Sequence, residues 1–180
     1  MRLRSAEPGD VTAIQAIYAH HVMTGLGTFE EVPPTPAEMA KRCAAVLDRG
    51  LPWLVAEDGE VLGYAYAGPF RTRAAYRFTV EDSVYVAEAA RSKGVGRALL
   101  AAIVEECEAM GLRQMVGVIG DSSNTASIAL HRALGFELKA IVPAVGWKFE
   151  RWVDVVWMQR ALGPGASTPP DAAGIGGMGA

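Results

Sequence analysis

The segment Val84-Tyr85-Val86-Ala87-Glu88-Ala89-Ala90-Arg91-Ser92-Lys93-Gly94-Val95-Gly96-Arg97-Ala98-Leu99-Leu100 decides the fold. Its first residues predict a strand that ends near Val86, and a polar loop then leads into an amphipathic helix over residues 94–110. The first N–H groups of such a helix lack partners and lie at the positive end of its dipole, and glycines at 94 and 96 let a ligand approach the backbone. This pattern predicts a cradle for a diphosphate group, although a loop that simply starts a helix has the same glycines. Three cations would add charge at its rim: Arg91, Lys93 and Arg97.

The rest of the chain alternates between strand-like and helix-like patterns. The predicted order over residues 2–162 is β-α-α-β-β-β-α-β-α-β-β. Asp58-Gly59 marks the turn of an antiparallel hairpin over 52–68, and Gly111 and Gly135 end two of the helices. The sequence therefore predicts an α/β (α+β) fold with one mixed, mostly antiparallel central sheet and helices on both faces.

Composition argues against several classes of protein. The chain of 180 residues suffices for one domain, and its formal net charge of -3 provides no basic surplus for nucleic acid or for a membrane surface. We expect no secretory leader, and no stretch of the sequence is apolar over a length that spans a membrane, so we expect no membrane partner and a cytoplasmic location. Cys43 and Cys107 lack the spacing of a redox motif, and we expect free thiols and no metal.

The composition changes after residue 162. Nine of the last 18 residues are Gly or Pro, so we expect a domain over 1–162 and a flexible tail over 163–180. The tail contains Gly174-Ile175-Gly176-Gly177-Met178-Gly179, a formal GxGxxG, which we interpret as chance because no predicted strand precedes it. A P-loop sequence is absent, and the first predicted helix does not begin with the glycine pattern of a dinucleotide fold.

Two blocks give the chain a family resemblance. Arg91-Ser92-Lys93-Gly94-Val95-Gly96 fits Gln/Arg-x-x-Gly-x-Gly/Ala, the coenzyme motif of the GNAT acetyltransferase superfamily, and the stretch from Asn124 to Phe136 resembles its Asn…Ala…Leu-Tyr…Leu-Gly-Phe block. The resemblance covers residues 2–162. Four further stretches are similar to the phosphinothricin and methionine sulfoximine/methionine sulfone acetyltransferases: Trp53–Glu57, Tyr66–Pro69, Thr79–Val86 and Gly146–Asp154.

The resemblance implies a GNAT-like sheet and an acetyl-CoA-dependent N-acetyltransferase that works without a metal. Such an enzyme transfers the acetyl group to the primary α-amine of a small amino acid or analogue by direct attack in a ternary complex, and family members are commonly homodimers. Two alternatives stay open. The acceptor is instead a polyamine, an aminoglycoside or a peptide N-terminus, or the chain is a non-catalytic acyl-CoA sensor on the same fold. Arginines at 71, 73 and 77 argue against a polyamine site, which favours acidic residues.

The resemblance also implies where the coenzyme lies. The strand segment Val84-Tyr85-Val86 would pair with the pantetheine arm, with the N–H of Val86 as the oxyanion donor. Asn124 and Ser127 would contact the coenzyme further along, although Asn124 also fits a plain helix N-cap. The pyrophosphate would lie on seven consecutive residues: Arg91, Ser92, Lys93, Gly94, Val95, Gly96 and Arg97.

Two titratable residues are candidates for the chemistry. Glu81 is the expected general base, because the related branch has its proposed base at this Thr-x-Glu position and burial would raise the pKa of the carboxyl. Strand alternation directs Asp82 to the opposite face. His131 lies where many superfamily members have the Tyr thought to protonate the departing thiolate, and an imidazole can act there as an acid or assist as a base. A structural histidine fits the position equally well.

The acceptor needs cations for an acidic group and apolar walls around it. Loop residues supply both, although each of them also reads as an ordinary solvated residue. Lys148 lies in a late turn, which we expect to reach a neighbouring subunit's site. His20 and His21 are assigned no role beyond helix surface or lining. The candidates for acceptor binding are Phe29, Glu30, Arg71, Arg73, Tyr76 and Lys148.

Overall fold

The computed structural model describes residues 1–171 and 173–176, and its elements follow the predicted order. None of the helices in this part of the chain is both long and apolar enough to cross a bilayer. The strands and α-helices are β1 Arg2–Ser5, α1 Val11–Thr24, α2 Pro36–Leu47, β2 Trp53–Glu57, β3 Val61–Pro69, β4 Thr79–Val86, α3 Val95–Ala109, β5 Gln114–Gly120, α4 Thr125–Ala133, β6 Glu137–Lys148 and β7 Arg151–Ala161.

The strands form one sheet in the order β1-β2-β3-β4-β5-β7-β6. Every neighbouring pair is antiparallel except β4 and β5, which confirms the predicted mixed, mostly antiparallel sheet. The parallel pairing joins only residues 79–82 of β4 to residues 114–117 of β5. Beyond this parallel pairing, β4 continues to pair with β3, and β5 continues to pair with β7. Residues 83–86 and 118–120 therefore border an opening in the sheet, called the fork below.

Helices cover both faces of the sheet, as predicted. One core lies under α3 and α4 and includes Leu99, Ile103 and Met115. The other lies under α1 and α2 and includes Ile14 and Trp53. Strand alternation divides β4 between the two cores, because successive side chains point to opposite faces. Its even-numbered residues face α3 and α4, and its odd-numbered residues face α1 and α2.

The described part of the predicted tail packs against the domain. Arg113 is buried, and its guanidinium donates hydrogen bonds to the carbonyl oxygens of Gly165 (3.1 Å) and Pro169 (2.7 Å). Ile175 is 4% exposed, and its N–H donates to Arg77 O at 2.8 Å. A buried guanidinium requires acceptors, and the tail backbone supplies them. Composition did not predict this anchoring. The glycine pattern at 174–179 lies partly outside the described residues.

Candidate active site

The start of α3 presents unpaired backbone N–H groups. Gly94 is the N-cap residue with a φ of 81°, and Ser92 has a φ of 61°. Within the described residues no side chain caps this helix. Left-handed residues beside a helix start form a concave row of N–H groups that suits an anion. Residues 91–97 are called the helix-start cradle below, and their binding of a diphosphate stays a prediction.

The two glycines of the cradle have different roles. A Cβ at Gly94 would meet nothing within 4 Å, so the left-handed φ is what favours glycine there. A Cβ at Gly96 would lie 3.5 Å from Leu130 Cδ2 and from Val86 Cγ2, in ordinary contact. Gly96 therefore lies where α3 packs against α4 and β4. Val95 is buried in the core and can offer a ligand only its backbone, whereas the three cations are exposed: Arg91, Lys93 and Arg97.

The backbone of β4 lines one side of the fork. The N–H of Ala87 donates to Leu62 O on β3 at 2.9 Å. Alternate residues of a strand direct their backbone groups to opposite edges, so the N–H groups of Val84 and Val86 point into the fork. Tyr85 points its backbone at β3 instead, and its ring packs on Tyr18 and Tyr64 at 5.0 and 5.3 Å. The prediction that Tyr85 contacts the coenzyme does not fit this orientation.

His21 fixes the end of β4, a role that the sequence did not suggest. Its Nε2 lies 3.0 Å from Val86 O. A carbonyl oxygen only accepts, so Nε2 carries the proton and donates. Burial lowers the pKa of His21, although this hydrogen bond opposes the change. The neutral ring therefore holds the Val86 carbonyl and leaves the N–H of Val86 free to face the fork.

The start of α4 borders the other side of the fork. Asn124 Oδ1 accepts a hydrogen bond from the N–H of Ser127 at 3.2 Å, and its Nδ2 donates to Gly120 O at 3.3 Å. Asn124 is thus the N-cap of α4. Ser127 O lies 2.8 Å from His131 Nδ1. The predicted coenzyme contacts of Asn124 and Ser127 stay predictions.

Glu81 lies on the sheet face that carries α1 and α2. Its side chain is 35% exposed, and its carboxylate lies 3.9 Å from the guanidinium of Arg71. Burial raises the pKa of Glu81, Arg71 opposes this rise, and the charge of Asp82 adds to it. A carboxylate with a raised pKa is a better proton acceptor, which suits a general base.

His131 and Glu81, the two predicted catalytic residues, lie on opposite faces of the sheet. His131 is 4% exposed, and its Nε2 lies 3.0 Å from Asp82 Oδ2. Asp82 follows Glu81 directly in β4 and, as alternation predicted, points to the other face. The structure therefore brings His131 to Asp82 and not to Glu81. No local motif indicates this pair, because 49 residues separate its members along the chain.

A cavity of about 220 Å³ opens on the Glu81 face. Its lining includes Thr79, two residues before Glu81, and Val116, which is paired with Glu81 across β4 and β5. Arg71 covers its wall, with the guanidinium 4.3 Å from the Phe70 ring. We call this cavity the acceptor pocket, after the role that is proposed for it below. Its remaining lining residues are Phe70, Tyr76, Gln114, Lys139, Trp157, Met158 and Gln159.

The predicted loop residues differ in whether they contribute to the acceptor pocket. Tyr76 lines it and Arg71 borders it, whereas Arg73 is exposed and is not part of the lining. Sequence reasoning missed Phe70 and Trp157, whose rings pack edge to face at 5.8 Å. Sequence reasoning could have identified Phe70, because it is an aromatic residue directly before Arg71. Trp157 lies in a strand of mostly apolar residues, and no local motif distinguishes it.

The prediction for Lys148 is wrong in this structure. Its side chain is 1% exposed, and Nζ donates hydrogen bonds to Gly25 O at 2.9 Å and Thr28 O at 2.8 Å. Burial lowers the pKa of Lys148, although the charges of Glu31 and Glu30 oppose the change. A buried ammonium requires such acceptors, so this lysine anchors the first loop instead of facing an acceptor.

The other two predicted residues of the first loop also make internal contacts. Glu30 accepts hydrogen bonds from Tyr18 Oη at 2.9 Å and from Arg42 Nη1 at 2.6 Å. Phe29 is 38% exposed, and its ring lies where side chains at Gly120 and Gly146 would collide with it. Phe29 therefore bridges β5 and β6 and keeps one exposed edge, whereas the carboxylate of Glu30 is already paired.

Comparison with known proteins supplies relatives over nearly the whole chain. The family described as acetyltransferase (GNAT) domain matches residues 3–157. A phosphinothricin N-acetyltransferase from Alcaligenes faecalis is 55% identical over 170 residues, which cover 94% of this chain and 86% of that protein. An L-methionine sulfoximine/L-methionine sulfone acetyltransferase from Pseudomonas paraeruginosa is 45% identical over 172 residues, which cover 93% of this chain and 98% of that protein.

A solved structure shares the fold. It is the crystal structure of a GNAT superfamily phosphinothricin acetyltransferase from Sinorhizobium meliloti in complex with AcCoA. It matches with a TM-score of 0.91 at 50% sequence identity, and the match covers 94% of this chain and 92% of that chain.

Proposed function

The chain belongs to the GNAT acetyltransferase family, and we propose that it transfers the acetyl group of acetyl-CoA to the primary α-amine of a small amino acid or amino-acid analogue. Phosphinothricin and methionine sulfoximine or sulfone are the acceptors that the names of its relatives suggest. One observation carries the proposal. The fork begins beside the helix-start cradle, where Gly96 approaches Val84 and Val86, and it ends at the rung next to Glu81.

The cradle and the fork fit the coenzyme. The open first turn of α3 would hold the pyrophosphate on its N–H groups, with the exposed cations at its rim. The N–H groups of Val84 and Val86 would hold the pantetheine arm as a neighbouring strand would, and that of Val86 would stabilise the oxyanion. Acetyl-CoA supplies the activated acetyl group. The protein supplies alignment along β4 toward Glu81.

The acceptor would lie on the Glu81 face. An α-amine is mostly protonated at neutral pH and must lose a proton before it attacks. Glu81 would take that proton directly or through a water, and its raised pKa suits this task. The guanidinium of Arg71 would bind a carboxylate or phosphinate of the acceptor. The aromatic residues Phe70, Tyr76 and Trp157 would pack against its carbon atoms.

Thiol release from acetyl-CoA tests this proposal. The purified chain is assayed with L-phosphinothricin, L-methionine sulfoximine and L-methionine sulfone, and in parallel with a polyamine, an aminoglycoside and a short peptide. We expect release above background with at least one of the three analogues and much less with the cationic amines. Release only with the cationic amines would contradict the acceptor class. Coenzyme binding without release on any amine would favour the sensor alternative.

We also propose that the chain forms a homodimer through the β6–β7 hairpin. This hairpin lies at the edge of the sheet and exposes large apolar side chains. Trp152 is 64% exposed, Trp147 54%, Val145 53% and Ile141 52%. Such a cluster on one surface is typical of an interaction site. Light scattering should give a mass of twice 19.1 kDa, and Trp152→Glu should convert it to the monomer mass. A wild-type monomer at micromolar concentration would contradict this.

A further inference from the structure

The buried pair of Asp82 and His131 has no part in the reaction described so far. The side chains of His131 and Asp82 are 5% and 2% exposed. His131 Nε2 lies 3.0 Å from Asp82 Oδ2, and Nδ1 lies 2.8 Å from Ser127 O. Asp82 is opposite Gly117 at the last rung of the β4–β5 pairing. The pair therefore lies at the closed end of the fork.

Gly117 makes room for this arrangement. A Cβ at Gly117 would lie 2.8 Å from His131 Cδ2, 2.9 Å from His131 Nε2 and 3.3 Å from Asp82 Oδ1. Real side chains do not tolerate the first two distances, so any other residue would displace the imidazole. Asp82 Oδ1 is buried and has no hydrogen-bond partner among the described residues. Within that part of the chain, His131 is thus the group that balances the Asp82 carboxylate.

Each ring nitrogen of His131 faces an acceptor. The carbonyl of Ser127 only accepts, so Nδ1 carries a proton. A neutral ring would then direct the Nε2 lone pair at an ionised carboxylate, whereas an imidazolium donates a charge-assisted hydrogen bond to it. Burial by itself lowers the pKa of His131, but the hydrogen bond with Asp82 and the charge of Asp82 outweigh it, and the net pKa is raised.

No other charge near the ring competes with Asp82 in the described residues. Helix α3 contributes Cys107, whose thiol has a pKa raised by burial to about 12 and stays neutral. Strand β5 faces the ring with Gly117, which carries no charge, and Phe136 packs edge to face on the ring at 4.9 Å. Glu81 lies on the other face of the sheet and senses Asp82 only at a distance.

We propose that Asp82 is a positioning residue that holds His131 as an imidazolium at the closed end of the fork, so that the amine proton passes to Glu81 and not to His131. In this orientation His131 has no free lone pair, so it cannot assist as a base. It supplies a fixed positive charge beside the fork. The catalytic half of this proposal rests on the function proposed above, whereas the protonation of His131 is a property of the free protein.

Imidazole NMR of the free protein tests the charge state. The chain has three histidines, so comparison with His131→Gln assigns the ring signals. We expect both nitrogens of wild-type His131 to stay protonated as pH rises past the ordinary pKa of about 6.5. In Asp82→Asn the balancing charge is lost while burial remains, so the His131 titration should move down by about 1–3 pH units. Asp48→Asn, an exposed carboxylate at the end of α2, is the matched control and should leave the titration unchanged.

Kinetics distinguish positioning from a purely structural role. The alkaline limb of the kcat–pH profile of Asp82→Asn should move down together with the His131 titration, while the KM for acetyl-CoA stays within about twofold. A neutral wild-type His131 at pH 6, with the proton on Asp82, would overturn the proposal even if Asp82→Asn fails to fold. An unchanged titration in a folded Asp82→Asn would also overturn it. A charged His131 in a protein that acetylates no amine would instead refute the proposed function and the catalytic half alone.

Discussion

The helix-start cradle and the acceptor pocket lie at opposite ends of β4, and one is formed by backbone groups whereas the other is formed by side chains. The cradle is made of consecutive residues whose backbone N–H groups would bind the ligand, with Gly94 in a left-handed conformation. The acceptor pocket is made of side chains from the loop before β4 and from four strands. Backbone geometry is encoded by local sequence, whereas the pocket depends on which segments meet in space. The cradle should therefore respond to changes in backbone conformation, and the pocket to changes in its side chains.

Removal of the Glu81 carboxylate should have the largest effect on turnover, and it should distinguish the two regions because coenzyme binding at the cradle should not change. Glu81→Gln keeps the shape of the side chain but cannot accept a proton, so kcat should fall by about 10²–10⁴-fold. The dissociation constant for acetyl-CoA, measured by calorimetry, should stay unchanged because the cradle lies at the other end of β4.

The wild-type pH profile sharpens this prediction. Glu81 acts as a base only when it is ionised, and its pKa is raised, so the acidic limb of kcat/KM should lie above the ordinary carboxyl range. Glu60→Gln, in the exposed turn before β3, should behave as wild type. An unchanged acidic limb in Glu81→Gln would remove Glu81 from the role of base.

Lys148 tests whether the first loop belongs to the binding surface or to the framework. Lys148→Met keeps most of the volume but leaves Gly25 O and Thr28 O without their donor. The free energy of unfolding in urea should fall by about 1–3 kcal/mol. Lys139→Met, an exposed residue paired with Glu137, should change it by less than about 0.5 kcal/mol. Full stability together with a raised KM for the amine would restore Lys148 as a binding residue.

Gly94 tests the backbone origin of the cradle. A β-branched residue resists the left-handed φ by about 1–2 kcal/mol, so Gly94→Val should distort the cradle and weaken acetyl-CoA binding by about tenfold. Gly50→Val is a matched control, because Gly50 has a φ of 73° after α2 and lies outside the cradle. It should lower stability by a similar amount with normal coenzyme affinity. Equal affinities of Gly94→Val and wild type would contradict the position of the cradle.

Arg71 tests the acceptor end with the smallest expected effect. Arg71→Gln should raise the KM for an acidic acceptor by about three- to tenfold, since an exposed guanidinium contributes little more than that. Arg71 lowers the pKa of Glu81, so its removal should also move the acidic limb of kcat/KM to higher pH. Arg49→Gln, on the surface near the end of α2, is the control. A limb that stays in place would mean that Arg71 does not act on Glu81.

The sequence predicted the parts of the molecule that depend on local periodicity. The helix predicted over 94–110 is observed at Val95–Ala109, and the element order and sheet class are as expected. Alternation also predicted that Glu81 and Asp82 face opposite sides. These features follow from the side-chain periods of 3.6 residues in a helix and 2 residues in a strand, which are visible in the sequence itself.

The parts that the sequence did not predict depend on contacts between distant segments. Alternation predicts that Asp82 points to the face opposite Glu81, but it does not predict that His131 contacts Asp82 on that face. A lysine in a turn is expected to be exposed, yet Lys148 is buried, and carbonyl oxygens 120 and 123 residues away accept hydrogen bonds from its ammonium group. Trp157 enters the acceptor pocket only because β7 pairs with β5. Neighbours of this kind are set by topology, which periodicity does not specify.

Amide NMR of the labelled protein with and without acetyl-CoA tests the central claim most directly. If the open start of α3 holds the diphosphate and the fork directs the thioester toward Glu81, the largest shifts should fall on the N–H groups of residues 92–97, Val84 and Val86. Amides of the distant α2 should stay in place. Saturable binding that leaves residues 92–97 unperturbed would contradict the account.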